Sequence, residues 1–115
     1  MNSEEIEHVR AGFVADALGY WEKVRAADSK KANVIARRVD ELADMWREKG
    51  QISTILVDLL KHDIPEVRYF AAAYLIADEN RATAVAAVAV LHDIEMKEPG
   101  FIANSAKAIL RHHTA

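Results

Sequence analysis

Apolar side chains recur at every third or fourth position through most of this chain, a spacing that builds helices and cannot serve the two-residue period of a strand. Ile6, Val9, Phe13, Ala17, Tyr20 and Val24 form one such stripe, and Ile35, Val39, Leu42 and Trp46 form a second. No segment joins sustained alternation to hairpin turn residues, so the expected fold is all-α. Asn2 or Ser3 can cap the first helix, which ends near Ala27. Asp28 or Ser29 can cap the second, which Gly50 closes. A connection this short implies an antiparallel helical hairpin over residues 1–50.

Residues 51–115 divide into shorter pieces. Gln51 to Lys61 places Ile52, Ile55, Leu56, Leu59 and Leu60 on one broad face, which predicts a third helix. Asp63 can then accept a backbone hydrogen bond, and Pro65 suits the first turn of a fourth helix carrying Val67, Phe70, Ala71, Tyr74 and Leu75. Asp78-Glu79-Asn80 supplies a turn and a cap for a fifth helix, from Arg81 to about His92. Its Ala/Val composition nearly all round predicts packing on several sides. Lys97-Glu98-Pro99-Gly100 leads into a sixth helix with Phe101, Ile102, Ser105, Ala106, Ile109 and Leu110. Setting Pro65 over Pro99, an offset of 34 residues, matches Val67 with Phe101, Ala71 with Ser105, Ala72 with Ala106, Leu75 with Ile109 and Ile76 with Leu110. That period lies in the range of stacked helix-pair arrays. On this alignment His62-Asp63 and His92-Asp93 each end one helical unit just before the turn into the next.

The segment Asp63-Ile64-Pro65-Glu66-Val67-Arg68, followed by Ala71-Ala72 and Leu75, resembles the HEAT repeat of ARM/HEAT-type α-α superhelices. The resemblance implies that Asp63 closes the inter-repeat turn, Pro65 starts the first helix of a pair, and Arg68 reaches an aspartate of a neighbouring repeat. The second unit departs from the pattern: Asp93 is further from its proline and Ile102 replaces the arginine, as in a diverged terminal cap. The chain as a whole resembles a family of small bacterial proteins built as short α-α superhelices. That likeness lies in the segment Ala32-Asn33-Val34-Ile35-Ala36-Arg37-Arg38-Val39-Asp40-Glu41-Leu42, in Gly50 and in the HEAT-like unit. It implies a fold and no activity, and it singles out Asn33 as a polar residue hydrogen-bonded to a neighbouring helix or turn. The expected architecture is one domain over 1–115, a right-handed α-α superhelix (HEAT/ARM-like) of about six helices, with HEAT-like helix pairs over 51–115.

Composition bounds the function. With 115 residues, 51% of them hydrophobic, the chain can bury a core of its own. The absence of cysteine removes disulfides, thiolate catalysis and Cys-based metal sites, and fits a reducing compartment. The acidic, mixed N-terminus lacks the basic start and apolar run of an export signal. No apolar run approaches the ~20 residues of a membrane span. A cytoplasmic protein with no membrane is therefore expected. A formal net charge of −3 repels nucleic acid and anionic lipid. Lys23, Arg25, Lys30, Lys31, Arg37 and Arg38 do cluster near the first hairpin turn, but Glu22, Asp28, Asp40 and Glu41 interleave with them and no aromatic ladder accompanies them. A solvated charged face is the expected reading, and nucleic acid is not the expected partner. Neither a glycine-flanked serine elbow nor a phosphate loop is present.

Two functions follow. The first is a protein-binding module without a cofactor, its partner another protein and in the most specific form a toxin neutralised in the manner of immunity proteins; a homodimer is the alternative assembly. Tyr20, Trp21, Arg68 and Tyr69 are the candidate binding residues. Trp46 continues an apolar stripe into the core, whereas Trp21 stands at a stripe edge, partly exposed. The second is a metal-dependent enzyme with His62, Asp63, His92 and Asp93 as imidazole and carboxylate ligands for iron or zinc. Equivalent ends of stacked helices lie about 10 Å apart, against metal bonds of about 2 Å, so these ligands converge only if a loop folds back. Otherwise the histidines sit at helix C-termini and the aspartates cap turns. His112 and His113 beside Arg111 read as a basic helix end, and His8 as a surface residue.

Overall fold

The computed structural model describes residues 1–114, in two compact units, Met1–Ile55 and Leu56–Ala115. The helices are α1 (Ser3–Arg25), α2 (Ser29–Glu48), α3 (Ile52–Leu56), α4 (Pro65–Leu75), α5 (Arg81–Lys97) and α6 (Phe101–Thr114), with a 3-10 turn at Val57–Lys61 between α3 and α4. No strand occurs among the described residues. The fold is all-α, as the apolar spacing requires.

In the first unit the expected caps form. The Asn2 side chain accepts from the Glu5 amide at 2.9 Å, and Asp28 accepts from Lys31 at 3.1 Å, each stabilising its helix by about 1 kcal/mol. Both helices also end in the same backbone motif. After α1, Ala27 N donates to Val24 O (3.0 Å) and Asp28 N to Lys23 O (2.9 Å); after α2, Gly50 N donates to Arg47 O (3.1 Å) and Gln51 N to Trp46 O (2.8 Å). The motif needs one left-handed residue, filled by Gly50 (φ 68°) in one case and by Ala27 (φ 57°) in the other. Glycine takes that conformation freely, whereas an alanine Cβ there costs about 1–2 kcal/mol.

α1 and α2 pack against each other, with Phe13, Ala17 and Trp21 buried on α1 and Ala32, Val39, Ala43 and Trp46 buried on α2. The Phe13 and Trp46 rings meet at 6.3 Å between centroids, tilted by 55°. Trp21, expected at a partly exposed edge, is only 4% exposed. The buried line steps by four from Phe13 to Ala17 to Trp21, so it runs through Trp21 and leaves Tyr20 beside it. Arg10 fastens α3: its Nε donates to Ile55 O at 2.8 Å and its Nη2 to Thr54 O at 3.1 Å. Both are carbonyls that a short helix cannot satisfy by itself.

The second unit opens on the 3-10 part of the helix expected over Gln51–Lys61, an α-helical turn (Ile52–Leu56) that tightens at Val57. Pro65 disfavours helical backbone at Ile64, which is extended (φ −90°, ψ 120°), and His62 is extended as well (φ −60°, ψ 145°). The chain therefore leaves the helix early, and the tighter turn keeps Leu59 and Leu60 buried. α5 packs against both α4 and α6, and both α4 and α5 touch the 3-10 turn. Val67, Phe70, Ala71, Ala72 and Leu75 of α4 enclose this core with Ala87, Leu91 and Ile94 of α5 and Ile102, Ala106 and Leu110 of α6.

Two expectations about this unit need correction. α5 does not stop near His92 but continues to Lys97, because Asp93-Ile94-Glu95-Met96-Lys97 contains no breaker and Ile94 completes the buried line Ala87-Leu91-Ile94. The second His-Asp is thus inside a helix and marks no turn. The 34-residue alignment pairs Ala72 with Ala106 and Ile76 with Leu110, all buried, but it does not fit throughout. It pairs buried Val67 with Phe101, which is 68% exposed, and it equates Pro65, the first residue of α4, with Pro99, which precedes α6 altogether. An offset of 35 pairs Val67 with Ile102, Ala71 with Ala106 and Leu75 with Leu110, all buried. The turn before α6 accommodates the extra residue with Gly100 at φ 74°.

Candidate protein-binding groove

The first His-Asp is a self-contained turn. His62 Nδ1 accepts from the Ile64 amide at 3.1 Å, while Arg68 Nη1 donates to the carbonyls of His62 (2.6 Å) and Asp63 (3.1 Å). Arg68 therefore clips the turn that precedes its own helix; these bonds replace the expected reach to an aspartate of another repeat. Asp63 does not cap α4 either: the cap position is Ile64, with no side-chain cap bond, and the Asp63 residue is exposed. His92 and Asp93 are exposed on α5. His92 Nδ1 is 3.9 Å from Glu95 Oε2, and Asp93 Oδ1 is 2.7 Å from Lys97 Nζ. Among the described residues, no three histidine or carboxylate groups come close enough together to hold a metal ion. The four expected ligands are divided between a turn and a helix face.

The aromatic candidates are engaged in packing. Tyr20 meets Trp21 edge-on at 5.4 Å and 84°, and Tyr69 meets Phe70 at 6.2 Å and 77°. Trp21 and Phe70 are buried, so the half-buried tyrosines cover their edges. The basic hairpin end is partly neutralised, with Arg38 paired to Asp16 and Lys31 within 3.9 Å of Asp28. Asn33, singled out by sequence, is exposed on α2.

An open surface also lies along the seam of α5 and α6. Arg81, Val85, Val88, His92 and Glu95 advance by four, three, four and three residues, which sets them on one line along α5. With α6 they line two open clefts. One, of about 330 Å³, is bounded by Arg81, Ala84, Val85, Val88 and His113; the other, of about 240 Å³, by His92, Glu95, Lys107, Leu110 and Arg111. The α5 residues share one line, so the two clefts follow one another along a common α5 wall, here called the groove. At 1.5 Å per residue it runs about 21 Å from Arg81 to Glu95. Its floor is apolar, with Val85 57% exposed. The fifth helix is packed on several sides, by α4, α6 and the 3-10 turn, but not all round: Ala82, Val85, Ala86 and Ala89 are all exposed.

The groove also gathers positive charge. In the second unit, Arg81, Lys107 and Arg111 line the groove. α6 contains no aspartate or glutamate. Of the groove residues, His92 stands among the candidates read from the sequence, but as a metal ligand; Val85 and Val88 are indistinguishable there from core residues. No protein-family model, curated protein or solved structure matches the chain.

Proposed function

We propose that the protein is a protein-binding module of the α-α repeat type and that the α5/α6 groove is its working surface. The observation that carries this reading is the line of accessible apolar residues at Ala84, Val85 and Val88, rimmed by charged side chains. An apolar centre inside a polar rim is the anatomy of a protein interface, and a lined-up apolar strip is more informative than a scattered exposed valine. The burial correspondence between α4 and α6 supports the repeat reading, in which α6 begins a second copy of the unit that α4 begins. A protein partner rather than a lipid bilayer also accords with the helices, none of which, among the described residues, is long and apolar enough to cross a membrane.

The test is site-specific photo-crosslinking in the cells that express the protein, with the photoreactive residue at Val85 and, as a control, at Glu4 on α1. The reading expects one discrete protein adduct from Val85 that is absent from the control and is lost when Val88→Glu is added. Identical adducts from both positions, or none from Val85, would remove it.

A further inference from the structure

We infer that the groove receives an acidic amphipathic helix of a partner protein, about four turns long, laid as a further helix of the array. This rests on the groove reading above and adds the chemistry of the occupant. The first argument comes from the fold itself. α5 lies against the 3-10 turn and α4 together. Moved on by the 35-residue correspondence that carries Val67 to Ile102, α4 becomes α6, and the seat that α5 fills becomes the seam between α5 and α6. The unit thus already contains one instance of a helix filling this kind of seat. A helix set there would span the roughly 21 Å groove in about four turns.

The second argument is charge. Cations in the last turn of a helix are favoured by its own unpaired carbonyls, which accounts for Arg111 and His113 of α6 without any ligand. The same physics opposes Arg81, which occupies the first residue of α5, where the helix end is positive. Lys107 stands about two turns before the end of α6 and has no acidic residue on its own helix. Arg81 and Lys107 therefore lie on the groove for no reason internal to their helices, and carboxylates flanking the apolar stripe of an incoming helix would pair with both. Glu95, the acidic residue of the lining, lies beside His92. A nucleic-acid occupant fits less well, since the floor presents alanine and valine and no aromatic ring for a base to stack on.

The decisive experiment pans a displayed library of helix-forming peptides of about sixteen residues, with all positions varied, against the full-length protein. Duplex DNA binding and self-association of the protein are measured in parallel. The inference expects enriched peptides with apolar residues spaced three and four apart and flanked by Asp or Glu. Their affinity should fall with salt and drop by about tenfold or more in Val85→Glu and in the double variant Lys107→Glu/Arg111→Glu. Lys107→Arg should bind like the parent. These positions are exposed, and unchanged thermal melting verifies that each variant is folded. Peptides that lose binding in Val85→Glu but carry neutral or basic flanks would overturn the acidic assignment and leave the groove reading standing. An absence of binders, or binders indifferent to all these variants, would overturn both. Tighter binding of duplex DNA, or self-association abolished by Val85→Glu, would overturn the partner class in favour of nucleic acid or of a second copy.

Discussion

His62-Asp63 and His92-Asp93 carry the same two side chains into opposite structural settings. The first pair is a turn tied by three hydrogen bonds, from the Ile64 amide to His62 and from Arg68 to the His62 and Asp63 carbonyls. The second pair is two exposed residues of an uninterrupted helix, joined only to charges one turn away. What separates them is the next residues in the chain. Ile64-Pro65 forbids continuation of a helix, whereas Ile94-Glu95-Met96-Lys97 permits it. A dipeptide does not specify a turn; the backbone limits that follow it do.

That contrast can be broken by substitution, measured in each case as the denaturant midpoint. Asp93→Pro has the largest expected effect, about 3 kcal/mol or more, because it removes an amide donor and clashes inside α5; a loss under 1 kcal/mol would mean that α5 is already broken at His92. Arg68→Met should cost about 1.5–3 kcal/mol by leaving two turn carbonyls without their charged donor. His62→Ala should cost about 1 kcal/mol through the lost acceptor for the Ile64 amide, and His62→Asn should recover part of it, since a short amide can bond the backbone two residues on. Lys97→Met should cost no more than about 0.5 kcal/mol, as expected of an exposed pair four residues apart. An effect of Lys97→Met comparable to that of Arg68→Met would erase the distinction between the two regions.

The same contrast explains what was legible in the sequence. Helix identity and the caps at Asn2, Asp28 and Asn80 rest on local chemistry, and each forms, with Asn80 Oδ1 accepting from Thr83 at 3.2 Å. The far end of α5 is readable too, since Ile94 extends the spacing of Ala87 and Leu91 past the repeated dipeptide. Trp21 required knowing how the buried line drifts along a 23-residue helix. The groove is the least legible feature. An alanine- and valine-rich helix looks the same whether neighbours cover two of its sides or all of them, so which face of α5 stays open is decided by α4 and α6. The candidate residues Tyr20, Trp21, Arg68 and Tyr69 carry chemistry that marks interfaces, and each also makes contacts inside its own unit.

The junction between α1 and α2 carries a last consequence. It is three residues long, and the amides of Ala26, Ala27 and Asp28 are all bonded back into α1 while Ala27 holds a left-handed backbone. A protease must draw several residues into an extended strand in its active site, and this connection has no slack to supply them without unravelling the end of a helix. Limited digestion of the native protein should therefore spare the link between the two long helices, leaving cleavage to begin at frayed ends or other exposed loops.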